Sequence, residues 1–223
     1  MAGQEVNLLD LYPKSKRPID ERAQKVTDAH RAIARKFSIE YFDKDRLTGY
    51  GGYNYNPRFW TETVRRFRDH YCLKNDTRIL DVGCAKGFMM WDFHLLMPDA
   101  EILGVDVSRY AYDHAKTEMK PFIQVTGAND LPFPDQYFDL VVSINTIHNL
   151  PLIDCKQALR EIQRVSREHS FVMVDAWRND AEKESMLKWN LTALTYMHVN
   201  DWKSLFAEVG YTGDYYWFIA EGE

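Results

Sequence analysis

Short apolar runs alternate with helical patterns from about residue 78 onward, and this alternation constrains the fold of the chain more than any other feature. The runs are rich in Val, Ile, Leu and Phe, as buried strands are. Alternating strands and helices are typical of a parallel sheet covered by helices. We therefore predict an α/β fold with a doubly wound, mostly parallel sheet. Its strands are predicted at residues 78–82, 101–106, 122–125, 138–144 and 170–175, with a sixth in "YYWFIA" (215–220).

Helix signals lie between these strands. Residues 88–97 stop before Pro98, and Ser108 is a candidate N-cap for the next helix. Later, Asn200 is placed to cap "DWKSLFAEV", and Gly210 stands where that helix would end. A further helix is indicated by an apolar stripe formed by Leu152, Leu159, Ile162 and Val165.

Residues 1–77 differ in character from the rest of the chain. Apolar residues at helical spacing predict one helix over residues 18–37. The stretch "GYGGYNYNPRFW" (49–60) follows, in which glycines break regular structure and aromatic side chains supply surface. The segment is too short to bury a core alone. We therefore predict an N-terminal helical and aromatic lid at 1–77 and a core domain at 78–223.

Composition argues against several kinds of partner. The net charge is −5 and no basic tract is longer than "KSKR", so the electrostatic footprint of a nucleic-acid-binding protein is missing. The three cysteines are odd in number and widely spaced, which suits a reducing compartment and predicts no metal site. No apolar run approaches the roughly 20 residues of a membrane span, and no signal peptide is recognisable. We expect a soluble, cytoplasmic protein without a membrane partner.

The turn after the first strand, in "RILDVGCAKGF" (78–88), is the strongest candidate ligand site. A dinucleotide fingerprint would need glycine where Ala85 and Phe88 stand, which argues against NAD. A phosphate loop would need four residues between its glycines, but Gly83 and Gly87 are separated by three, which argues against ATP. In doubly wound sheets ligands bind beyond the carboxyl ends of the strands. Functional groups are therefore expected in "DVGCAKG", "VDVS", "SINTIHN" and "DAWRN".

The segments "ILDVGCAKG", "ILGVDVS" and "LPFPDQYFDLVVS", in this order and spacing, resemble the class I S-adenosylmethionine-dependent methyltransferases. The resemblance covers residues 78–220. It implies a Rossmann-like fold and S-adenosylmethionine as the cofactor, with Asp106 accepting hydrogen bonds from both ribose hydroxyls. It further implies a cofactor site made of Asp81, Gly83, Cys84, Gly87, Asp106, Val107, Ala128, Asn129 and Asn145.

The sequence departs from the common family pattern at three places. Ala85 replaces the middle glycine of the loop. Gly127 stands where the family often has an acid near the adenine amino group, so the amide of Ala128 and the side chain of Asn129 or Asp130 are the candidates there. The chain also ends soon after the sixth predicted strand, so the antiparallel final hairpin of the family is expected to be shortened or absent.

The resemblance implies transfer of a methyl group to O, N or C of a small polar or sugar-like acceptor. His148, just past the fourth strand, is the candidate general base, and a purely positioning role is the alternative. The other candidate acceptor-binding residues are Tyr50, Tyr53, Asn149 and Arg178. Two other functions remain open at this point: a noncatalytic cofactor- or partner-binding subunit, and another reaction of the same cofactor. A homodimer is possible.

Overall fold

The computed structural model of the protein describes residues 3–13, 17–51 and 53–221. Seven strands form one sheet in the order β3-β2-β1-β4-β5, and the far edge of β5 pairs with both β6 and β7. Every strand pair in the described ranges is parallel. The strands are β1 Arg78–Val82, β2 Glu101–Asp106, β3 Ile123–Val125, β4 Phe138–Ile144, β5 Ser166–Trp177, β6 Met197–His198 and β7 Asp214–Phe218.

The predicted α/β sheet is confirmed. β1, β2 and β4 have the predicted bounds, and β3 begins one residue later than predicted. β5 is longer than predicted because it continues on both sides of residues 170–175 to pair with β4 and β6. The last long strand, β7, overlaps the sixth predicted strand at residues 215–218 and runs parallel to β5.

Helices cover both faces of the sheet, and each face carries its own hydrophobic core. One face carries a core built from Leu80 and Val141 with α7 and α9. The other carries Ile79 and Leu140 with α4 and α5. The helices are α1 Ile19–Lys25, α2 Asp28–Ala34, α3 Ile39–Phe42, α4 Pro57–Tyr71, α5 Phe88–Leu96, α6 Arg109–Asp113, α7 Leu152–Val165, α8 Asp180–Trp189 and α9 Val199–Val209.

The single helix predicted over residues 18–37 is wrong, because the chain breaks into α1 and α2. Val26 is extended, and Thr27 is the N-cap of α2, with its hydroxyl accepting from the His30 backbone N–H and its own N–H donating to His30 Nδ1. This reciprocal pair satisfies backbone donors that would otherwise lack partners. A second cap also differs from the prediction: α9 begins two residues earlier, capped by His198 instead of Asn200.

The N-terminal part of the chain is joined to the core. In α4, Phe67 is fully buried and its ring meets the ring of Phe171 edge-on at 5.1 Å between centroids. Further upstream, the Val6 N–H donates to the Tyr215 carbonyl, beside the outer edge of β7. The two-part division at residue 77 stays a prediction, and the hydrophobic core runs across it.

The topology positions the site. The chain passes from β3 at one edge to β4 beside β1, so β1 and β4 form the switch point of the sheet. The carboxyl ends of β1, β2, β4 and β5 all open at this edge, where such folds bind ligands. None of the helices in the described ranges is long and apolar enough to cross a lipid bilayer.

Candidate active site

The loop after β1 is a tight turn built on left-handed backbone. Gly83 has φ +86°, and a Cβ there would lie 2.0 Å from the Thr146 Oγ1, so no side chain fits. Gly87 has φ +74° and starts α5. Ala85, in place of the usual middle glycine, also has a positive φ of +49°. The loop therefore keeps its turn with one methyl group in a strained region.

Asp106 at the end of β2 is fixed by the backbone on both sides. Its Oδ2 accepts from the Ala85 N–H at 2.8 Å, and its Oδ1 accepts from the Ser108 N–H at 2.8 Å. Each oxygen of a carboxylate has a second lone pair, so both can still accept a hydrogen bond from a ligand. A half-buried, rigid carboxylate of this kind suits a vicinal diol.

Three carboxyl groups of raised pKa lie near the carboxyl ends of β1, β2 and β5. Burial raises the pKa of Asp81 to about 8, and the nearby Asp106 adds to the shift. Burial also raises the pKa of Asp175, at the end of β5, to about 8. Burial raises the pKa of Asp106 too, against the opposing effect of its two backbone hydrogen bonds. The pair of Asp81 and Asp106 favours a positively charged ligand, because a cation stabilises the ionised carboxylates.

His148 and Asp175 form a buried pair. The Asp175 N–H donates to His148 Nδ1 at 3.0 Å, so Nδ1 is an acceptor and the ring proton belongs on Nε2. That Nε2 lies 3.6 Å from Asp175 Oδ1. Burial lowers the pKa of His148 to about 3, so the ring is neutral at physiological pH. In this geometry the lone pair that a general base needs is already used.

Tyr41 is a site residue that the sequence did not reveal. Burial raises the pKa of its hydroxyl, and the carboxylates of Asp106 and Asp175 raise it further. Its ring also meets that of Tyr50 edge-on at 6.2 Å. The aromatic composition of residues 49–60 pointed to the neighbouring stretch, but Tyr41 itself had no distinguishing local pattern.

Lys86 ties the N-terminal segment to the loop after β1. The side chain is buried, and its Nζ donates to Asp43 Oδ1 at 2.5 Å and to the Tyr53 carbonyl at 2.9 Å. Burial tends to raise the pKa of Asp43, but hydrogen bonds from Lys86 and Tyr110 outweigh this and hold the pKa below its usual value. A second tether joins Ser108 Oγ to the Phe37 carbonyl at 2.5 Å. Beside the Lys86 tether lies a cavity of about 650 Å³.

Comparison with known proteins supports the resemblance found in the sequence. A family profile described as a methyltransferase domain matches residues 80–174. Over these residues the chain is similar to methyltransferases. A malonyl-acyl-carrier-protein O-methyltransferase of Legionella pneumophila is 31% identical over 129 residues, which are 56% of this chain and 44% of the relative. A tRNA (carboxymethyluridine(34)-5-O)-methyltransferase of Arabidopsis thaliana is 29% identical over 132 residues, 58% of this chain and 31% of the relative.

The fold of this region is shared with solved structures. A SAM-dependent methyltransferase from Archaeoglobus fulgidus superposes with a TM-score of 0.52 at 18% identity, covering 69% of this chain and 70% of that one. The curated relatives are longer than the region they share: the chain spans less than half the length of the Legionella and Arabidopsis proteins.

The remaining predicted cofactor residues lie around the same edge of the sheet. Cys84 and Ala128 are buried, and Val107 is 62% exposed. Asn129 is held by Asp154, to which its amide donates at 3.1 Å. Asn145 is exposed in left-handed conformation, with φ +54°. Their contacts with a cofactor stay predictions.

The predicted acceptor-binding residues differ from one another in burial and in hydrogen bonding. The Tyr50 hydroxyl accepts from the Leu191 N–H at 2.8 Å. Asn149 donates to the Asn145 carbonyl at 3.2 Å, and its Oδ1 is buried without a partner in the described part of the chain. Tyr53 contributes its carbonyl to the Lys86 tether. Arg178 is exposed and faces Glu182 at 3.6 Å, so it lies among charges at the start of α8.

We expect Lys86→Met to destabilise the protein by about 1–3 kcal/mol, because it leaves Asp43 and the Tyr53 carbonyl without their donor. Chemical denaturation monitored by circular dichroism measures the loss. Lys25→Met is the matched control: its ion pair with Glu21 is exposed, so its removal should hardly change the midpoint. Equal midpoints for the two variants would show that the Lys86 tether contributes nothing.

Proposed function

We propose that the protein is an S-adenosylmethionine-dependent methyltransferase that acts on a small polar acceptor. The observation that carries the proposal is the pair of Asp81 and Asp106 at the carboxyl ends of β1 and β2, with Asp106 fixed by two backbone N–H groups. The similarity to methyltransferases over residues 80–174 supports it. When bound, S-adenosylmethionine supplies a methyl group that is already activated by its positively charged sulfur.

The residues present fit that cofactor. Asp106 offers two oxygens with free lone pairs for a ribose diol. Asp81 has a buried carboxyl with no hydrogen-bond donor among the described residues, and a carboxyl of raised pKa favours a neighbouring cation. We propose that the Ala128 amide and Asn129 contact the adenine ring. The chain's main task is then alignment, since holding donor and acceptor in line supplies much of such a rate enhancement.

Proton removal from the acceptor falls to the His148–Asp175 pair. His148 was the predicted base, but its Nδ1 already accepts from the Asp175 N–H. Burial raises the pKa of the Asp175 carboxyl to about 8, so its ionised form is a stronger base than an ordinary carboxylate and can receive the proton. We therefore assign proton acceptance to Asp175 and positioning to His148. An amine acceptor would need this step less than a hydroxyl.

The N-terminal segment supports a small acceptor. Its tethers at Lys86 and Ser108, and the rings of Tyr41 and Tyr50, place residues 37–51 against the open edge of the sheet. We propose that this segment is a lid that excludes water during transfer. A closed lid of this kind suits a metabolite better than a polymer. The negative net charge of the chain also argues against a nucleic acid as the acceptor.

Titration calorimetry tests the cofactor assignment. The protein should bind S-adenosylmethionine and neither NAD nor ATP. Since a cation near Asp81 favours its ionised form, affinity should rise between about pH 6 and 8, and binding at pH 7 should release up to about one proton. S-adenosylhomocysteine shares the amino group but lacks the sulfonium charge, so it should release fewer. Binding of NAD or ATP in place of S-adenosylmethionine would contradict the proposal.

A further inference from the structure

Arg22 in α1 is a buried arginine that the proposed chemistry does not use. Only 7% of the residue is exposed. Its guanidinium carbon lies 5.2 Å from the centre of the Tyr50 ring and 4.9 Å from that of Trp189. Burial lowers its pKa, which is the sign of a charge held away from water. Charged side chains are seldom buried in this way without a partner of opposite charge.

Three of the five N–H donors of Arg22 are unused among the described residues. Nη1 donates to the Arg46 carbonyl, whereas Nε and Nη2 are buried and have no partner among the described residues. No described carboxylate pairs with the guanidinium. Nε and Nη2 share one edge of the planar fork, and this edge can donate two parallel hydrogen bonds to one carboxylate or phosphate.

The surroundings of Arg22 also favour an anion. Arg46 and Arg31 are close enough to lower the Arg22 pKa further, so the local charge is positive. Two rings connect this place to the candidate active site. Tyr50 contacts Arg22, and its ring meets that of Tyr41 at 6.2 Å between centroids. Burial raises the pKa of both tyrosine hydroxyls, and the charge of Asp175 adds to the shift of each.

We propose that the Nε–Nη2 edge of Arg22 binds an oxyanion, a carboxylate or a phosphate, carried by the methyl acceptor. That the oxyanion belongs to the methyl acceptor rests on the proposed function, but the anion site itself does not. A buried, incompletely paired guanidinium is costly to the free protein, and binding residues commonly carry such a cost. The acceptor is then an anionic metabolite, held at one end by Arg22 and presented at the other beside Asp175.

Thermal unfolding with simple anions tests the site without a known acceptor. Succinate and inorganic phosphate are the probes, with chloride at equal ionic strength as the reference. At about ten times its Kd, a bound probe should raise the Tm of the wild-type protein by about 2–5 °C. Arg22→Met should lose this shift, and Arg22→Lys should lose most of it because an ammonium has no fork. Arg65→Lys is the matched control, since Arg65 is exposed and pairs with Glu62.

Equal shifts in wild type, Arg22→Lys and Arg22→Met would overturn the proposal. If Arg22→Met does not fold, the comparison of Arg22→Lys with Arg65→Lys decides. S-adenosylmethionine titrations of the same variants separate this inference from the proposed function. If Arg22→Lys loses the anion-induced rise in Tm but keeps the wild-type affinity for S-adenosylmethionine, both the anion site and the proposed function are supported. An anion shift that depends on Arg22 in a protein that binds no S-adenosylmethionine would leave the anion site standing and remove the methyltransferase assignment.

Discussion

Asp106→Ala should weaken S-adenosylmethionine binding by about ten- to a hundredfold, or about 1.5–3 kcal/mol. The carboxylate is expected to accept from both ribose hydroxyls, and it also holds the Ala85 and Ser108 N–H groups. Removing it therefore loses ligand contacts and loosens the loop after β1. Asp106→Asn should be similarly poor, because the amide places a donor against one of those two backbone donors.

Calorimetry measures this effect, and Asp113→Ala is the control. Asp113 is an exposed acid of α6 that pairs with Arg109, so its loss removes the same charge outside the site. Affinity should be close to the wild-type value in the control. An unchanged affinity in Asp106→Ala, with the protein folded, would mean that the ribose of the cofactor lies elsewhere.

Asp175→Asn should lower turnover by about a hundredfold or more while leaving cofactor affinity within a few fold. A positioned proton acceptor typically contributes roughly 10²–10⁴ in rate, and an amide cannot take the proton. The variant should fold, because the raised pKa means that the carboxyl is largely protonated near pH 7 in the free protein. Single-turnover assays with labelled methyl donor measure the step.

His148→Asn separates the positioning role from the base role. The Asn oxygen can accept from the Asp175 N–H much as His148 Nδ1 does, so turnover should fall by about tenfold or less. His148→Ala lacks that acceptor and should be worse than His148→Asn. If His148→Asn and His148→Ala both lose a hundredfold or more, the ring itself takes the proton and Asp175 only orients it.

The sheet could be predicted from the sequence because its signals are local. Runs such as "RILDV" are apolar, and each is closed by a turn residue, so β1, β2 and β4 have the predicted bounds. Ser108 caps the start of α6 and Gly210 caps the end of α9, as their residue types predict. The break between α1 and α2 escaped prediction because His30 fills a capping position more often taken by Glu or Gln.

The finer site chemistry depends on contacts that no local pattern contains. His148 and Asp175 are 27 residues apart, and their hydrogen bond exists only because β4 and β5 are neighbours. Likewise, the apolar spacing of α1 predicts a buried face, but nothing in it tells which rings enclose Arg22. The loop after β1 and Asp106 could be predicted, since a glycine turn and an acid at the end of a strand are local patterns in the sequence.

Product labelling tests the central claim most directly. The purified protein is incubated with S-adenosylmethionine bearing a CD₃ group and with fractionated small-molecule extracts, and the products are analysed by mass spectrometry. The account predicts an anionic small molecule that gains the CD₃ group with wild-type protein and not with Asp106→Ala. Two results would contradict the claim that the protein methylates small anionic acceptors. In one, the wild-type protein binds the donor yet labels no small molecule; in the other, it transfers the label only to RNA or protein.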